Sequence, residues 1–268
     1  MDSLQLIILS LIQGITEFLP ISSSGHLILP AQLFGWEDQG LAFDVAVHMG
    51  TLAAVVAYFW KDLMAIAHDW LGALVGKGAT FNSRLGWYLI FATLPAVVLG
   101  LVLKKTGFDE VMRTMAVICG ATLIFGALLG WADLRGKHIQ PLEQMTFPQA
   151  LLIGFAQALA LIPGTSRSGM TMTAGLMLGM TRDAAARFSF LLSIPVIVGA
   201  GSLLTVDLLK SPAPVDWGVL TLGAAISGIS AWICVHCFLS FINRIGLMPF
   251  VIYRMVLGVV LLGFVLAQ

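Results

Sequence analysis

Six stretches of 19 to 26 residues dominate this chain: Leu41–Trp60, Leu85–Leu103, Val111–Trp131, Ala184–Leu209, Trp217–Ile242 and Met248–Ala267, none with more than two Asp, Glu, Lys or Arg. An apolar run needs about 20 residues to cross the roughly 30 Å hydrocarbon core of a bilayer as a helix. The runs are continuous rather than alternating, which excludes a β-barrel. Only 10% of the 268 residues are charged, against roughly 25% in an ordinary soluble domain. The chain is therefore read as an all-α integral membrane protein. Its formal net charge of +0 offers no basic field for nucleic acid. Asp2 stands where the basic region of a cleavable signal would be. Cys234-Val-His-Cys237 has the look of a metal pair, but it lies inside an apolar run with no second ligand pair, so packing is the better reading.

Two polar stretches interrupt the apolar pattern. Glu17-Phe-Leu-Pro-Ile-Ser-Ser-Ser-Gly-His26 follows the apolar segment Leu4–Leu19, and Pro163-Gly-Thr-Ser-Arg-Ser-Gly-Met-Thr171 follows a second one. Ionisable groups at membrane depth are costly, roughly 2.5–3.5 kcal/mol on insertion scales, and mark functional sites. Leu4–Leu19 spans roughly 24 Å as a helix at about 1.5 Å per residue, short of a crossing. His26–Phe34 is shorter still. Two short helices around a polar loop read as a re-entrant hairpin, because irregular backbone at that depth survives only inside protein or beside a water-filled cavity. The alternative is one spanning helix followed by a surface helix. Lys61–Arg84 is expected as a polar loop, Leu85–Leu103 as a span kinked at Pro95, and Asp133–Pro148 as the long central connection.

The pattern then restarts. At an offset of 144, residues 1–35 and 145–179 share seven identities: Met1/Met145, Gln5/Gln149, Gln13/Gln157, Ser22/Ser166, Ser24/Ser168, Gly25/Gly169 and Gly35/Gly179. Three spans follow each copy. The expected organisation is one membrane domain of two repeats, 1–144 with a hairpin at 4–35 and 145–268 with a hairpin at 148–179. Three is odd, so the second hairpin enters from the opposite face and the repeats are inverted, as in many transporters. Under that topology one face receives eight Lys and Arg and the other four, with Arg167 and Arg254 inside the membrane. The eight-residue face is expected to be cytoplasmic, with both termini outside.

The loops hold the groups that phosphoryl chemistry needs. Gln13 and Glu17, four apart on one helix face, suit a hydroxyl, a water or a hard cation. Ser22, Ser23 and Ser24 are hydroxyl donors, and the amides ahead of His26 can point at an anion. Thr165, Ser166, Ser168 and Thr171 are the hydroxyls of the second loop, and the Arg167 fork suits a phosphate. At the repeat offset Ser23 corresponds to Arg167, which would seat a nucleophile opposite a phosphate binder. Asp44 and His48 share one helix face and are candidates to line the cavity. Arg254 either reaches the site, snorkels or pairs with a buried carbonyl.

Gln13–His26 resembles the (E/Q)xxxE motif and serine-histidine loop of the bacitracin-resistance family, and Pro163–Thr171 resembles its PGxSRSxxT motif. The likeness runs nearly end to end, including Phe43-Asp44 and His48. It implies an undecaprenyl-diphosphate phosphatase of the bacterial inner membrane that removes the terminal phosphate of the C55 carrier lipid for cell-wall synthesis. It also implies functional roles for Glu17, Ser23, His26, Ser166 and Arg167, with a divalent cation (Mg2+ or Ca2+) assisting. Gln13 in place of a second Glu weakens the view that both motif positions bind metal as carboxylates. The nucleophile is open between Ser23, His26 and water, with Ser23 favoured and His26 expected as its base. The active-site cavity is expected to open to the periplasm. The expected partners are the lipid substrate and the membrane, with a homodimer left open. A lipid transporter without chemistry is the main competitor. A phosphatidic-acid-type phosphatase would need His and Asp where Thr173 and Met177 stand, and is rejected.

Overall fold

The computed structural model describes residues 2–36, 40–210 and 216–267, and the described chain is helical throughout apart from turns and one isolated bridge between Gln140 and Met180. The helices are α1 (Ser3–Thr16), α2 (Ser23–Phe34), α3 (Gly40–Tyr58), α4 (Trp60–Leu74), α5 (Phe81–Thr106), α6 (Phe108–Val111), α7 (Met115–Arg135), α8 (Phe147–Ala158), α9 (Arg167–Met177), α10 (Arg182–Lys210), α11 (Trp217–Ile245) and α12 (Met248–Ala267). Six of them, α3, α5, α7, α10, α11 and α12, are long and apolar enough to cross a membrane. They overlap the six apolar runs of the sequence, with one shift: the span expected at Val111–Trp131 is Met115–Arg135, because Val111 ends α6 and Thr114 caps α7 by accepting from Val117 N. Helix α5 runs through Pro95 as one element.

The expected polar loop at 61–84 is largely helix α4. Its charged residues hid an amphipathic pattern: Leu63, Ile66, Ala67 and Trp70 recur at helical spacing and form one face. Ile66 is buried and the Trp70 ring meets Trp87 of α5 edge-on at 5.3 Å. The close approach needs Gly86, where a Cβ would sit 3.1 Å from the Trp70 ring. Asp69 holds the corner by accepting hydrogen bonds from Thr80 Oγ1 (2.8 Å) and Asn82 Nδ2 (3.0 Å). With His68 beside it, these bonds hold the Asp69 carboxyl below the usual carboxylate range.

Helix α1 ends at Thr16, three residues before the expected end at Leu19. Pro20 is the cause, since the residue ahead of a proline avoids helical backbone and the ring clashes with the carbonyl four residues back. Helix α2 starts at Ser23, ahead of the expected His26, because Ser22 caps it by accepting from Gly25 N at 3.4 Å. The second polar loop repeats the arrangement: α9 starts at Arg167, and Ser166 accepts from Gly169 N at 3.1 Å.

The helices around these loops pack at backbone distance. A Cβ on Gly50 of α3 would lie 2.1 Å from the Ala224 carbonyl oxygen of α11, and one on Gly154 of α8 would lie 2.4 Å from the Ala92 carbonyl oxygen of α5. Small residues serve this purpose where lipid provides no hydrophobic drive between helices.

Candidate active site

The two polar loops, whose serine caps Ser22 and Ser166 stand 144 positions apart, touch. Ser168 Oγ donates to the Leu19 carbonyl at 2.8 Å. Arg254 of α12 donates from Nη1 to the Pro20 carbonyl (3.2 Å) and from Nη2 to the Gly164 carbonyl (3.0 Å), so one guanidinium ties both loops. It also reaches the Thr122 and Ala121 carbonyls of α7 at 3.3 and 3.4 Å. Fully buried, Arg254 pairs with carbonyls rather than snorkelling. Gly126 makes room, since a Cβ there would come within 3.2 Å of Arg254 Nε.

Glu17, buried just past the end of α1, is the hub of the polar cluster. Its Oε2 accepts from Ser23 Oγ at 2.7 Å and from Gln13 Nε2 at 3.0 Å, with His48 Nε2 at 3.9 Å. Its Oε1 accepts from Arg167 Nη2 at 3.0 Å. The guanidinium is steadied by Nη1 donating to the Ser189 carbonyl at 3.1 Å and lies 5.9 Å from the centre of the Phe18 ring. Thus Ser23 and Arg167, expected to face one another, meet on opposite oxygens of one carboxylate.

Ser23 does not have its expected partner. The two ring nitrogens of His26 are taken by the Ser22 carbonyl at Nδ1 (2.7 Å) and the Tyr253 hydroxyl at Nε2 (2.6 Å), with the His26 and Tyr253 rings stacked at 5.6 Å. A carbonyl can only accept, so Nδ1 carries a proton and, in the neutral ring, Nε2 accepts from Tyr253. The side chain that accepts from Ser23 Oγ is Glu17.

A cavity of about 210 Å³ opens onto this cluster. Its polar wall is Glu17, Ser23, His48, Gln157 and Arg167, and its apolar wall includes Val45, Ala96, Ile197 and Leu204 from α3, α5 and α10. His48 lines it, with Nδ1 turned to the Asp44 carbonyl at 2.7 Å. The other expected residues do not line it. Ser22 and Ser166 cap helices, Ser168 joins the loops, and Thr171 Oγ1 lies 2.7 Å from Ser189 Oγ. Thr165 is buried with its hydroxyl unpartnered, and Ser24 is exposed, 3.4 Å from Ser22 Oγ. Gln157 was visible in the sequence only as an identity of the repeat, and Ser189 carried no signal beyond being a serine inside a span.

The donor set for a divalent cation is small. Among the described residues no three His, Cys, Asp or Glu side chains cluster as a metal site. Glu17 supplies one carboxylate, and the buried Gln13 Oε1 has no partner among the described residues. Mg2+ commonly takes one or two carboxylates and completes its shell with water and substrate phosphates. Glu17 and Gln13 fit such an ion when a phosphate substrate shares it.

In this multi-pass helical membrane protein a carboxylate, a hydroxyl and a guanidinium converge beside a largely apolar cavity within the helical bundle. Residues 6–260 match the family described as bacitracin resistance protein BacA, and the chain belongs to it. A protein named undecaprenyl-diphosphatase from Chromohalobacter salexigens is 58% identical over 265 residues, 99% of this chain and 100% of that one. One of the same name from Alteromonas mediterranea is 57% identical over 267 residues, the whole of both chains. Undecaprenyl-diphosphatase 1 of Pseudoalteromonas translucida is 54% identical over 264 residues, 98% of this chain and 99% of that one.

Proposed function

We propose that this protein is an undecaprenyl-diphosphatase, hydrolysing the lipid diphosphate to undecaprenyl phosphate and inorganic phosphate, and so confers bacitracin resistance. The observation that carries the mechanism is the 2.7 Å bond from Ser23 Oγ to Glu17, whose other oxygen is held by Arg167. Serine is a weak nucleophile without an adjacent base, and Glu17 is that base. The Arg167 fork turns from Glu17 to the terminal phosphate when substrate arrives, which frees the carboxylate to take the proton of Ser23. Ser23 Oγ attacks the terminal phosphorus, the anhydride P–O bond breaks, and undecaprenyl phosphate leaves. Glu17 passes the Ser23 proton to the departing undecaprenyl phosphate, then takes a proton from the water that breaks the Ser23 Oγ–P bond and releases inorganic phosphate. Returning the water's proton to Oγ restores Ser23. Arg167 neutralises charge on the transferring oxygens throughout. A divalent cation held by Glu17, Gln13 and the diphosphate would add further charge neutralisation. His26 acts at one remove, gripping the carbonyl of Ser22 next to the nucleophile. The apolar wall of the cavity suits the isoprenyl chain beside the headgroup.

Two inverted repeats, 1–144 and 145–268, remain part of this reading. Their support is local: α1 and α8 begin 144 residues apart, as do α2 and α9, and the serine caps and the positive-φ glycines Gly35 and Gly179 keep the same offset. The Lys and Arg asymmetry supports a cytoplasmic eight-residue face, periplasmic termini and a cavity open to the periplasm. The decisive experiment is release of inorganic phosphate from undecaprenyl diphosphate by the purified protein. Binding and translocation of the lipid with no phosphate released would make it a transporter instead.

A further inference from the structure

Gln157 is a buried polar side chain with no hydrogen-bond partner among the described residues. It is 2% exposed, both its Nε2 and its Oε1 lack partners, and it lines the cavity that holds Glu17, Ser23 and Arg167. Buried amides are nearly always hydrogen-bonded, so an unpartnered one lining a cavity points to a polar partner inside that cavity. Its relation to Gln13 explains why it is unpaired. Gln13 and Gln157 correspond at the 144-residue offset, and Gln13 Nε2 is spent on Glu17, four residues on. Four residues after Gln157 stands Leu161, which cannot accept.

Before substrate arrives the other donors of the polar wall already have partners, and Arg167 must turn from Glu17 before it can meet a phosphate. Ser23 donates to Glu17, Arg167 donates to Glu17 and the Ser189 carbonyl, and His48 Nδ1 is bonded to the Asp44 carbonyl. A diphosphate brings several acceptor oxygens and, when ionised, no donors. Resting on the diphosphatase reading above, we propose that Gln157 is a substrate-binding residue whose Nε2 donates to a non-bridging oxygen of the diphosphate. Its Oε1 is left to accept from water in the cavity.

The test uses the full chain purified in detergent, with Gln157→Leu and Gln157→Glu. The first removes the amide at similar size, and the second keeps the shape but replaces the donor with a carboxylate that repels phosphate. Both should lower kcat/KM for undecaprenyl diphosphate by about tenfold or more and weaken competition by inorganic pyrophosphate, as loss of a hydrogen bond to a charged group does. The Tm of Gln157→Leu should equal or exceed that of the wild type, since an unpartnered buried amide has been removed. Values of kcat/KM and pyrophosphate inhibition within about twofold of wild type in either folded variant overturn the proposal. So does a loss of activity in both that only follows a loss of Tm. If Gln157→Leu does not fold, Gln157→Glu decides by the same readouts. A wild type that binds pyrophosphate through Gln157 yet releases no phosphate from the lipid would refute the diphosphatase reading and leave this one standing.

Discussion

Ser22 and Ser166, 144 positions apart, share a positive-φ backbone conformation, with φ of 74° and 75°. Each is the residue immediately ahead of a polar-wall side chain, Ser23 in one case and Arg167 in the other. Positive φ is uncommon outside glycine and is tolerated where the surroundings over-determine it. Here the cap bonds to Gly25 N and Gly169 N and the contacts between loops supply that constraint. The paired turns aim the Ser23 hydroxyl and the Arg167 guanidinium at the Glu17 carboxylate.

The Ser23–Glu17 bond predicts the intermediate. Rapid-quench labelling with terminally labelled substrate should trap an acid-stable phosphoserine at Ser23, and Glu17→Gln should lower kcat by about 10²–10⁴. An acid-labile adduct on His26 that still forms in Ser23→Ala would transfer the nucleophilic role to the imidazole.

Arg167 tests the value of a fork. Arg167→Lys keeps a positive charge but loses bidentate geometry, so its kcat should fall by about 10²-fold or more, and Arg167→Ala should fall further. Both should still fold. Turnover near wild type in Arg167→Ala would take the residue out of the site.

Arg254 is predicted to matter through architecture. Arg254→Met leaves the carbonyls of Pro20, Ala121, Thr122 and Gly164 without this donor, at about 1–3 kcal/mol for each that stays unsatisfied. Thermal unfolding in detergent should show a clear drop in Tm, with activity falling alongside it. An unchanged Tm with activity lost would instead put Arg254 in contact with the substrate.

Two glycines should respond in opposite directions. Gly50→Ala drives a methyl into the Ala224 carbonyl and should destabilise by about 1–3 kcal/mol. Gly120→Ala, on α7 with nothing within 4 Å of the added carbon, should be neutral or stabilising by up to about 1 kcal/mol. Equal Tm values for the two variants would contradict the packing of α3 on α11.

The orientation prediction is independent of the chemistry. Cysteines placed at positions 77 and 137 should resist an impermeant external thiol reagent in intact cells, and one at position 105 should react. Labelling at 77 with protection at 105 would reverse the assignment.

Hydropathy by itself determined the six spans, because about 20 apolar residues in a row have few other stable fates. The polar loops were equally legible, since a Glu, a His and an Arg amid apolar sequence need a reason. Helix α4 was missed because its charges masked a narrow apolar face that only α5 reveals. Residue partners were beyond the sequence. Ser23 lies three positions from His26 and six from Glu17, yet its bond is to Glu17, because the capped turn at Ser22 aims the two side chains differently. Gln157 was one letter in a weak repeat until the structure placed it on the cavity wall with no hydrogen-bond partner among the described residues. Transfer free energies add residue by residue along a chain and can be read from it. Hydrogen bonds depend on direction at about 3 Å, and only the packed structure sets direction.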